Sequence, residues 1–367
     1  MVNIFISQLE NRSSVTAANI TTTTAITNYI PVLMTAPAGV PRLDYNPTTG
    51  QALGLLIEES RTNLLTYSGD FSNAAWIATA TITSNTATAP DGTITADRIA
   101  FTSSADFIIQ QYNTTTPLTA YTFSVYLKAN SPVSVIVNIQ QSGGGNANNT
   151  VNVTTLWQRF NVTYITDAIP TFVRARIIPN ANTPTIYAWG AQLEAGSFAT
   201  SYIPTTSAAV TRTADQASMT GTNFSSWYNQ AQGSLYVDFD LIGLQKASQG
   251  MDIVNVLNAS GYGVELYNNT TGTIISSYLG VSNSGVINPP AINTKYQALL
   301  AYTQTNLNTC INGATPITLS GTLPASIISL GLGFAQTTNA NYMSGHIRKI
   351  NYYATALPSA VLQALTS

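Results

Sequence analysis

Asp238 and Asp240 stand two residues apart in the run GSLYVDFDLIG, and its alternation places both carboxylates on one strand face. Along a strand that spacing is about 6–7 Å. A retaining glycosidic pair needs its carboxyl groups about 5–5.5 Å apart, and an inverting pair about 6.5–9.5 Å. The acid of such a pair must hold its proton near neutral pH, and Tyr236 on the same face is the candidate neighbour for raising it. The competing reading is two solvated carboxylates on an exposed strand. His346 is the only histidine, and no Ser-His-Asp or Cys-His set assembles around it from spacing. Cys310 is the only cysteine, so no intrachain disulfide and no Cys-based zinc site can form. Its type suits a small buried apolar residue. Neither HExxH nor GxxxxGK occurs, and the glycines at 143–145 precede no helix, so they do not cradle phosphate.

Saccharide recognition asks for different groups: ring faces for the C–H face of a pyranose, and planar amides or guanidinium groups for its hydroxyls. Trp76, Tyr112, Tyr126, Trp157, Tyr187 and Trp189 offer rings; Gln110, Gln140, Arg174 and Arg176 offer polar partners. Trp157 and Trp189 fall within strand patterns and read as core. Tyr126, Arg174 and Arg176 lie opposite the apolar series of their strands, and with Gln140 they form the candidate glycan-binding set. Asp70, Asp97 and Asp215 are acidic positions without a dense carboxylate loop for calcium, so no metal and no cofactor is expected.

The elements that carry these residues are strands. YTFSVYLKA puts Tyr121, Phe123, Val125 and Leu127 on one face, and VSVIVNI continues with Val133, Val135, Val137 and Ile139. QQSGGGNANN reads as a loop. WQRFNVTYIT turns Phe160, Val162 and Tyr164 inward; FVRARII sets Val173, Ala175 and Ile177 against the two arginines; IYAWGAQLE offers Tyr187, Trp189, Ala191 and Leu193 on one side. A second series starts after Asn223, with Leu235, Val237, Phe239 and Leu241 as a core face and Asn312-Gly313 as a hairpin turn. PSAVLQALTS is a short helix with Pro358 at its start and an apolar stripe of Val361, Leu362 and Leu365. The expected fold is all-β: two antiparallel β-sandwich (jelly-roll) domains, over 59–213 and 214–367, behind an extended arm over 1–58. The arm expectation comes from ITTTTAITNY and from prolines at 31, 37, 41 and 47.

Composition agrees. The chain has 367 residues, 44% hydrophobic and 8% charged, with a formal net charge of −2. A typical domain is about 25% charged. Hydroxyl and amide side chains supply the polar surface instead, as on solvated strand faces. Thirteen scattered Lys and Arg form no basic run, which argues against a nucleic-acid partner. The start, MVNIFISQLENRSS, has no basic segment and no long apolar core, so neither a signal peptide nor membrane insertion is expected.

Three tracts together resemble bacteriophage virion appendage proteins, described as tail-fibre, head-fibre or head-spike proteins. They are GVPRLDYNPTTGQALGLLIEESRTNLLTYSGDFSNAAW (39–76), WGAQLEAGSFATSYIPTTSAAVTRTAD (189–215) and SGHIRKINYYATALPSAVLQALTS (344–367). The residues in the pattern are Pro41, Arg42, Asp44 and Tyr45; Glu59, Arg61, Thr62, Asn63 and Leu64; Gln192, Leu193 and Glu194; Tyr202, Ile203, Pro204 and Thr205. The resemblance implies a carbohydrate-binding-module-like jelly roll followed by a concanavalin A-like or laminin G-like sandwich. It also implies a virion-surface location, other virion proteins as partners through the N-terminal arm, and a homo-oligomer, a trimer for a fibre. A non-enzymatic fibre or spike subunit recognising host-surface glycans is the leading expectation. A capsid decoration protein contacting shell subunits and a polysaccharide depolymerase using Asp238 and Asp240 stay open beside it.

Overall fold

The structure is a computed structural model that describes residues 2–3, 32–47, 49–181, 183–244, 250–268, 273–278, 281–282, 290–335 and 340–367. The fold is all-β, and the strand pairings within its sheets are antiparallel. Contacts divide the chain into two compact units: one centred on Ser60–Thr213, the other on Thr35–Glu59 together with Ala214–Ser367. No helix among the described residues is long and apolar enough to cross a membrane.

The first unit is a sandwich of two five-stranded sheets. One sheet runs Asn146–Val153, Val133–Gln141, Val173–Pro179, Ile108–Tyr112, Ile77–Ala78. The other runs Gln158–Ile165, Ala120–Lys128, Thr185–Ala195, Ala96–Ala100, Thr81–Ala87. Period-two alternation decides which side chains meet between them. Val135, Val137, Ile139, Val173, Ala175 and Ile177 from the first sheet pack on Phe123, Val125, Leu127, Ile186 and Leu193 from the second, and each is fully buried. Each such aliphatic side chain contributes about 1.5–3 kcal/mol by leaving water.

Two expectations fail here for local reasons. NANNTVNV is a strand, not loop: Gln140 pairs with Asn146 and Asn138 with Asn148. The Asn138 amide donates to Asn148 Oδ1 (2.7 Å) and to the Ala147 carbonyl (3.0 Å), so side-chain amides support the ladder. Tyr187 and Trp189 also do not share a face with Ala191 and Leu193. The ladder slips between Trp189 and Gln192, where Gly190 takes φ +65°. That bulge inserts one residue, so Ala191 and Leu193 enter the sandwich core while Trp189 packs in a separate cluster with Ala89, Ala96, Tyr126 and Tyr202.

The second unit also stacks two sheets. The larger has Leu43–Tyr45, Ala52–Ile57, Gly345–Tyr353, Gln232–Leu241, Tyr296–Thr303, Asn306–Ile311 and Ile317–Ser320 in that order, with Val2–Asn3 paired to Gly345–Tyr353. The smaller runs from Ala217–Thr220 through Ile327–Leu332 and Met251–Asn258 to Gly263–Asn268, Ile274–Tyr278 and Val281–Ser282. Leu235, Val237, Phe239 and Leu241 share the core with Val254, Val256, Leu330 and Leu332. The helix Ser359–Thr366 covers the other face of the larger sheet, where buried Leu362 joins Tyr236, Leu299, Ala301 and Cys310. Cys310 is 1% exposed.

The extended arm expected over 1–58 is corrected in its later part. Leu43–Tyr45 and Ala52–Ile57 are sheet strands, and Leu55 and Ile57 lie in the core of this unit. Gly54 permits the close pairing: its φ is +114°, and a Cβ there would sit 2.6 Å from the Ile347 carbonyl oxygen. Apart from Val2–Asn3, the residues before Val32, ITTTTAITNY among them, lie outside the described residues.

Candidate functional site

Several residues of these sequence tracts turn out to be interior joinery. Buried Asn63 donates to the carbonyls of Ala191 (3.0 Å) and Ile203 (2.9 Å), while its Oδ1 accepts from the amides of Leu193 (3.1 Å) and Leu65 (3.2 Å). Glu194, fully buried, accepts from the Thr200 amide and hydroxyl, each at 2.7 Å, and from Gln192 Nε2 at 3.1 Å. Gln192 Oε1 accepts from the Ile203 amide (2.7 Å), and the Tyr202 hydroxyl meets Ser68 Oγ at 2.6 Å. Burial pushes the Tyr202 phenol up to about 12. In the other unit Arg42 Nη1 pairs with Glu58 (2.8 Å), and Arg42 also binds Asp215 through Nε (3.1 Å) and Nη2. These residues position chain segments and offer no open chemistry.

The carboxylates Asp238 and Asp240 do share a sheet face, but a cation stands between them. Arg348 donates through Nε to Asp238 (2.8 Å), through Nη1 to Asp240, and through Nη2 to the Phe239 carbonyl (2.8 Å). Lys295 approaches Asp238 at 3.3 Å. His346 is clasped by two acids: Nδ1 lies 2.9 Å from Asp240 and Nε2 3.1 Å from Asp44. Burial disfavours both charged partners. At Asp240 the hydrogen bond and charge of His346, then those of Arg348, outweigh burial and hold the carboxyl below its ordinary range. At His346 burial is outweighed by the bonds to Asp240 and Asp44, and the imidazolium persists to about pH 9. Glycosidic cleavage needs one carboxyl raised, and this network lowers Asp240 instead.

The His346 network has a measurable consequence. A folded-state pKa near 9 against about 6.5 unfolded means stability fully present below pH 6.5 and lost as pH rises through 9, on the order of 3 kcal/mol in all. Asp252, which burial pushes up to about 8, adds a fall of the same sign at lower pH. Denaturation of the full chain at pH 6 and pH 9.5 is expected to show the loss, and His346→Gln to remove the His346 share. Equal pH slopes in both proteins would refute the linkage.

The candidate glycan-binding set divides between the two faces of the first unit. Arg174, Arg176 and Gln140 come together on the outer face of one sheet. Tyr126 lies on the outer face of the other, its ring 5.8 Å from Trp189, 6.5 Å from Tyr202 and 5.4 Å from the Arg159 guanidinium. Tyr126 therefore belongs to an aromatic cluster covered by the returning segment and not to the arginine face. Trp157 packs against the same cluster, and Lys128 lies over the rings of Trp157 and Tyr187, 5.5 and 5.7 Å from their centroids.

Strand register builds the arginine face in rows. Gln111, Arg174, Gln140 and Asn146 form one row; Ile77, Ile109, Arg176, Asn138 and Asn148 form the next. Gln111, Asn138, Asn146 and Asn148 belong to the site and were missed from spacing. Their signal was present, since they alternate with Gln110, Val137 and Ala147 just as the arginines alternate with Ala175. Arg174 Nε donates to Gln111 Oε1 (2.6 Å), and its guanidinium stacks 4.3 Å over the Phe172 ring. Arg176 Nη1 donates to Gln140 Oε1 (3.2 Å). Burial and then the charge of Arg174 lower the pKa of Arg176. Two polar atoms lie buried here without a protein partner: Arg176 Nε and Asn138 Oδ1. They sit on directly opposed residues of adjacent strands. At the other end of this sheet a shallow depression of about 650 Å³ is lined by Pro132, Ser134, Asn152, Thr183 and Pro184.

Asp97 spends its carboxylate on the amides of Phe71 (2.7 Å) and Asn85 (2.9 Å), Asp70 on Ser72, and Asp215 on Arg42. Among the described residues no three His, Cys, Asp or Glu cluster as a metal site.

No family model matches the sequence, and no curated protein matches it. Among solved structures the chain is similar to the CBM40 module of the Ruminococcus gnavus IT-sialidase: 15% identity, TM-score 0.34, covering 41% of this chain and 93% of that one. It is similar to a CBM4 carbohydrate-binding module at 20% identity and TM-score 0.26, covering 38% of this chain and 97% of that one. It is also similar to the enzymatically active domain of tailspike protein 4 of bacteriophage CBA120, at 11% identity and TM-score 0.30, covering 36% of this chain and only 21% of that one. Each likeness covers only part of this chain, and no residue role passes from these neighbours to this protein.

Proposed function

We propose that this chain is a non-enzymatic glycan-binding subunit of a phage virion fibre or spike. Its sugar site in this reading is the outer face that carries Arg174, Arg176 and Gln140. The carrying observation is the double row of planar polar groups, Gln111–Arg174–Gln140–Asn146 beside Arg176–Asn138–Asn148, on the outer face of one sheet, with Asn138 buried among them. Amides and guanidinium groups held in fixed planes match the paired donors and acceptors of vicinal sugar hydroxyls. Holding costs little on binding, because Gln111 and Phe172 already fix Arg174 and Gln140 already fixes Arg176. The three tracts that resemble virion appendage proteins support the particle assignment. A site of this kind is weak singly, and an oligomer multiplies it through effective concentration.

The test is a glycan microarray probed with the full chain, followed by calorimetric titration of the bound saccharides. Saturable binding that Gln140→Ala together with Asn146→Ala weakens at least about tenfold is the expected result. No bound saccharide overturns the reading. Shortening of a bound polysaccharide by the pure protein would overturn its non-enzymatic part.

A further inference from the structure

The reading above leaves the kind of sugar open, and the arginine pair narrows it. Arg174 and Arg176 occupy alternate positions of one strand, so their stems are about 6–7 Å apart on the same face. No acidic side chain pairs with either among the described residues; their hydrogen-bond partners are the neutral amides of Gln111 and Gln140. Two cations side by side repel, and a fold that keeps them beside each other without a counter-charge gains when an anion arrives.

The unused atoms describe that anion. Arg174 spends Nε on Gln111, which leaves its two Nη groups. Arg176 spends Nη1 on Gln140 and its Nε is closed to solvent, which leaves Nη2. Guanidinium edges of this kind match the two oxygens of a carboxylate. Opposite Arg176, buried Asn138 is 2% exposed; its amide nitrogen is satisfied twice, and its Oδ1 lacks a donor. Arg176 Nε and Asn138 Oδ1 are a donor and an acceptor on opposed residues, both closed to solvent, so they match each other and not a ligand. The remaining guanidinium nitrogens set the carboxylate, the amide of Gln140 beside them suits a hydroxyl, and a sugar acid carries both.

We propose that this face takes a carboxylated saccharide, its carboxylate held by Arg174 and Arg176 and a neighbouring hydroxyl by Gln140. The proposal rests on the glycan reading, and one experiment separates the two. The full chain is titrated with oligogalacturonate, with the same oligomer methyl-esterified, and with polyglutamate, and is applied to an array of carboxylated, sulfated and neutral glycans. Expected is binding confined to carboxylated saccharides, weakened by added salt, and reduced more than about tenfold by Arg176→Gln and by Arg174→Gln. Arg98→Gln, which removes the same charge from the opposite sheet, leaves affinity unchanged. Melting temperatures of Arg174→Gln and Arg176→Gln, measured alongside, separate loss of folding from loss of recognition. Binding of neutral glycans alone overturns the carboxylate assignment and leaves sugar binding standing. Binding of no glycan overturns both. Equal binding of sulfated glycans or polyglutamate, or full affinity in Arg176→Gln, reduces the face to nonspecific charge and overturns the proposal.

Discussion

Arg348→Ala is expected to cost the unit built on Ala214–Ser367 about 3 kcal/mol or more, among the larger losses a single substitution produces. The guanidinium is the shared counter-charge of Asp238 and Asp240, whose side chains are only 10% and 12% exposed. Removing it leaves two carboxylates on one face, with Lys295 and His346 opposing them among the described residues, and strips the Phe239 carbonyl of its donor. Arg348→Lys restores part of the loss, because one ammonium cannot span the three acceptors that the fork reaches. Adding Asp238→Asn and Asp240→Asn to Arg348→Leu recovers most of it, since the cost lies in unpaired charge and not in the missing pair itself. Urea denaturation followed by hydrogen exchange reads the result: Gln232–Leu241 loses protection while Ala120–Lys128 keeps it. A loss under about 1 kcal/mol, or equal loss of protection in both strands, would show that Arg348 is a surface ion pair of little weight.

What could be read from the residues follows the range of the interactions involved. Alternation is a local signal, and it placed Phe123, Val125, Val137, Ala175 and Val237 in the cores, where each is fully buried. The same alternation put Arg174, Arg176 and Gln140 on one face, because strand neighbours inherit a shared side from register. Tyr126 was assigned to their company on the same logic and belongs elsewhere: alternation says that a residue faces away from a core, and not which sheet carries it. Thr122 and Ser124 mark the same limit. Both face outward by pattern, yet both are fully buried, Thr122 bonded to the Gly196 carbonyl and Ser124 to Arg159.

Long-range pairing was illegible for a different reason. Ala52–Ile57 gains its place from Gly345–Ile347, nearly the whole chain away, and no local pattern in a glycine-interrupted ALGLLI run announces that partner. Gly190 hid the bulge in the same way, since a glycine within a strand pattern marks either a bulge or nothing. The arginine site needed side-chain bookkeeping. Only the hydrogen-bond partners reveal that Arg176 Nε and Asn138 Oδ1 go unmet, and only the ion pairs reveal that Asp238 and Asp240 are spent on Arg348.

Asn63→Ala is expected to destabilise the unit built on Ser60–Thr213 by about 3–4 kcal/mol, although the side chain touches no charged group. Asn63 is fully buried and ties three separated stretches: its own strand, the Ala191–Leu193 turn of the bulged strand, and Ile203 in the returning segment. Truncation strands two carbonyls and two amides where water does not reach, and each stranded backbone group costs about 1–3 kcal/mol before relaxation. Packing loss adds little, since the side chain is small. Asn63→Asp separates the donor half from the acceptor half: Oδ acceptors for Leu65 and Leu193 survive, while the donors to Ala191 and Ile203 vanish and a charge is buried. That variant is expected to be as destabilised as Asn63→Ala at pH 7 and to recover partly near pH 4, where a protonated carboxyl can donate once. Thermal melting at both pH values, with hydrogen exchange over Leu193 and Ile203, measures it. The folded fraction of either variant keeps its saccharide affinity, because Asn63 takes no part in the rows of Arg174 and Arg176. A melting temperature unchanged by Asn63→Ala would mean that the returning segment holds without it, and the interior role given to the Glu-x-Arg-Thr-Asn-Leu tract would have to be abandoned.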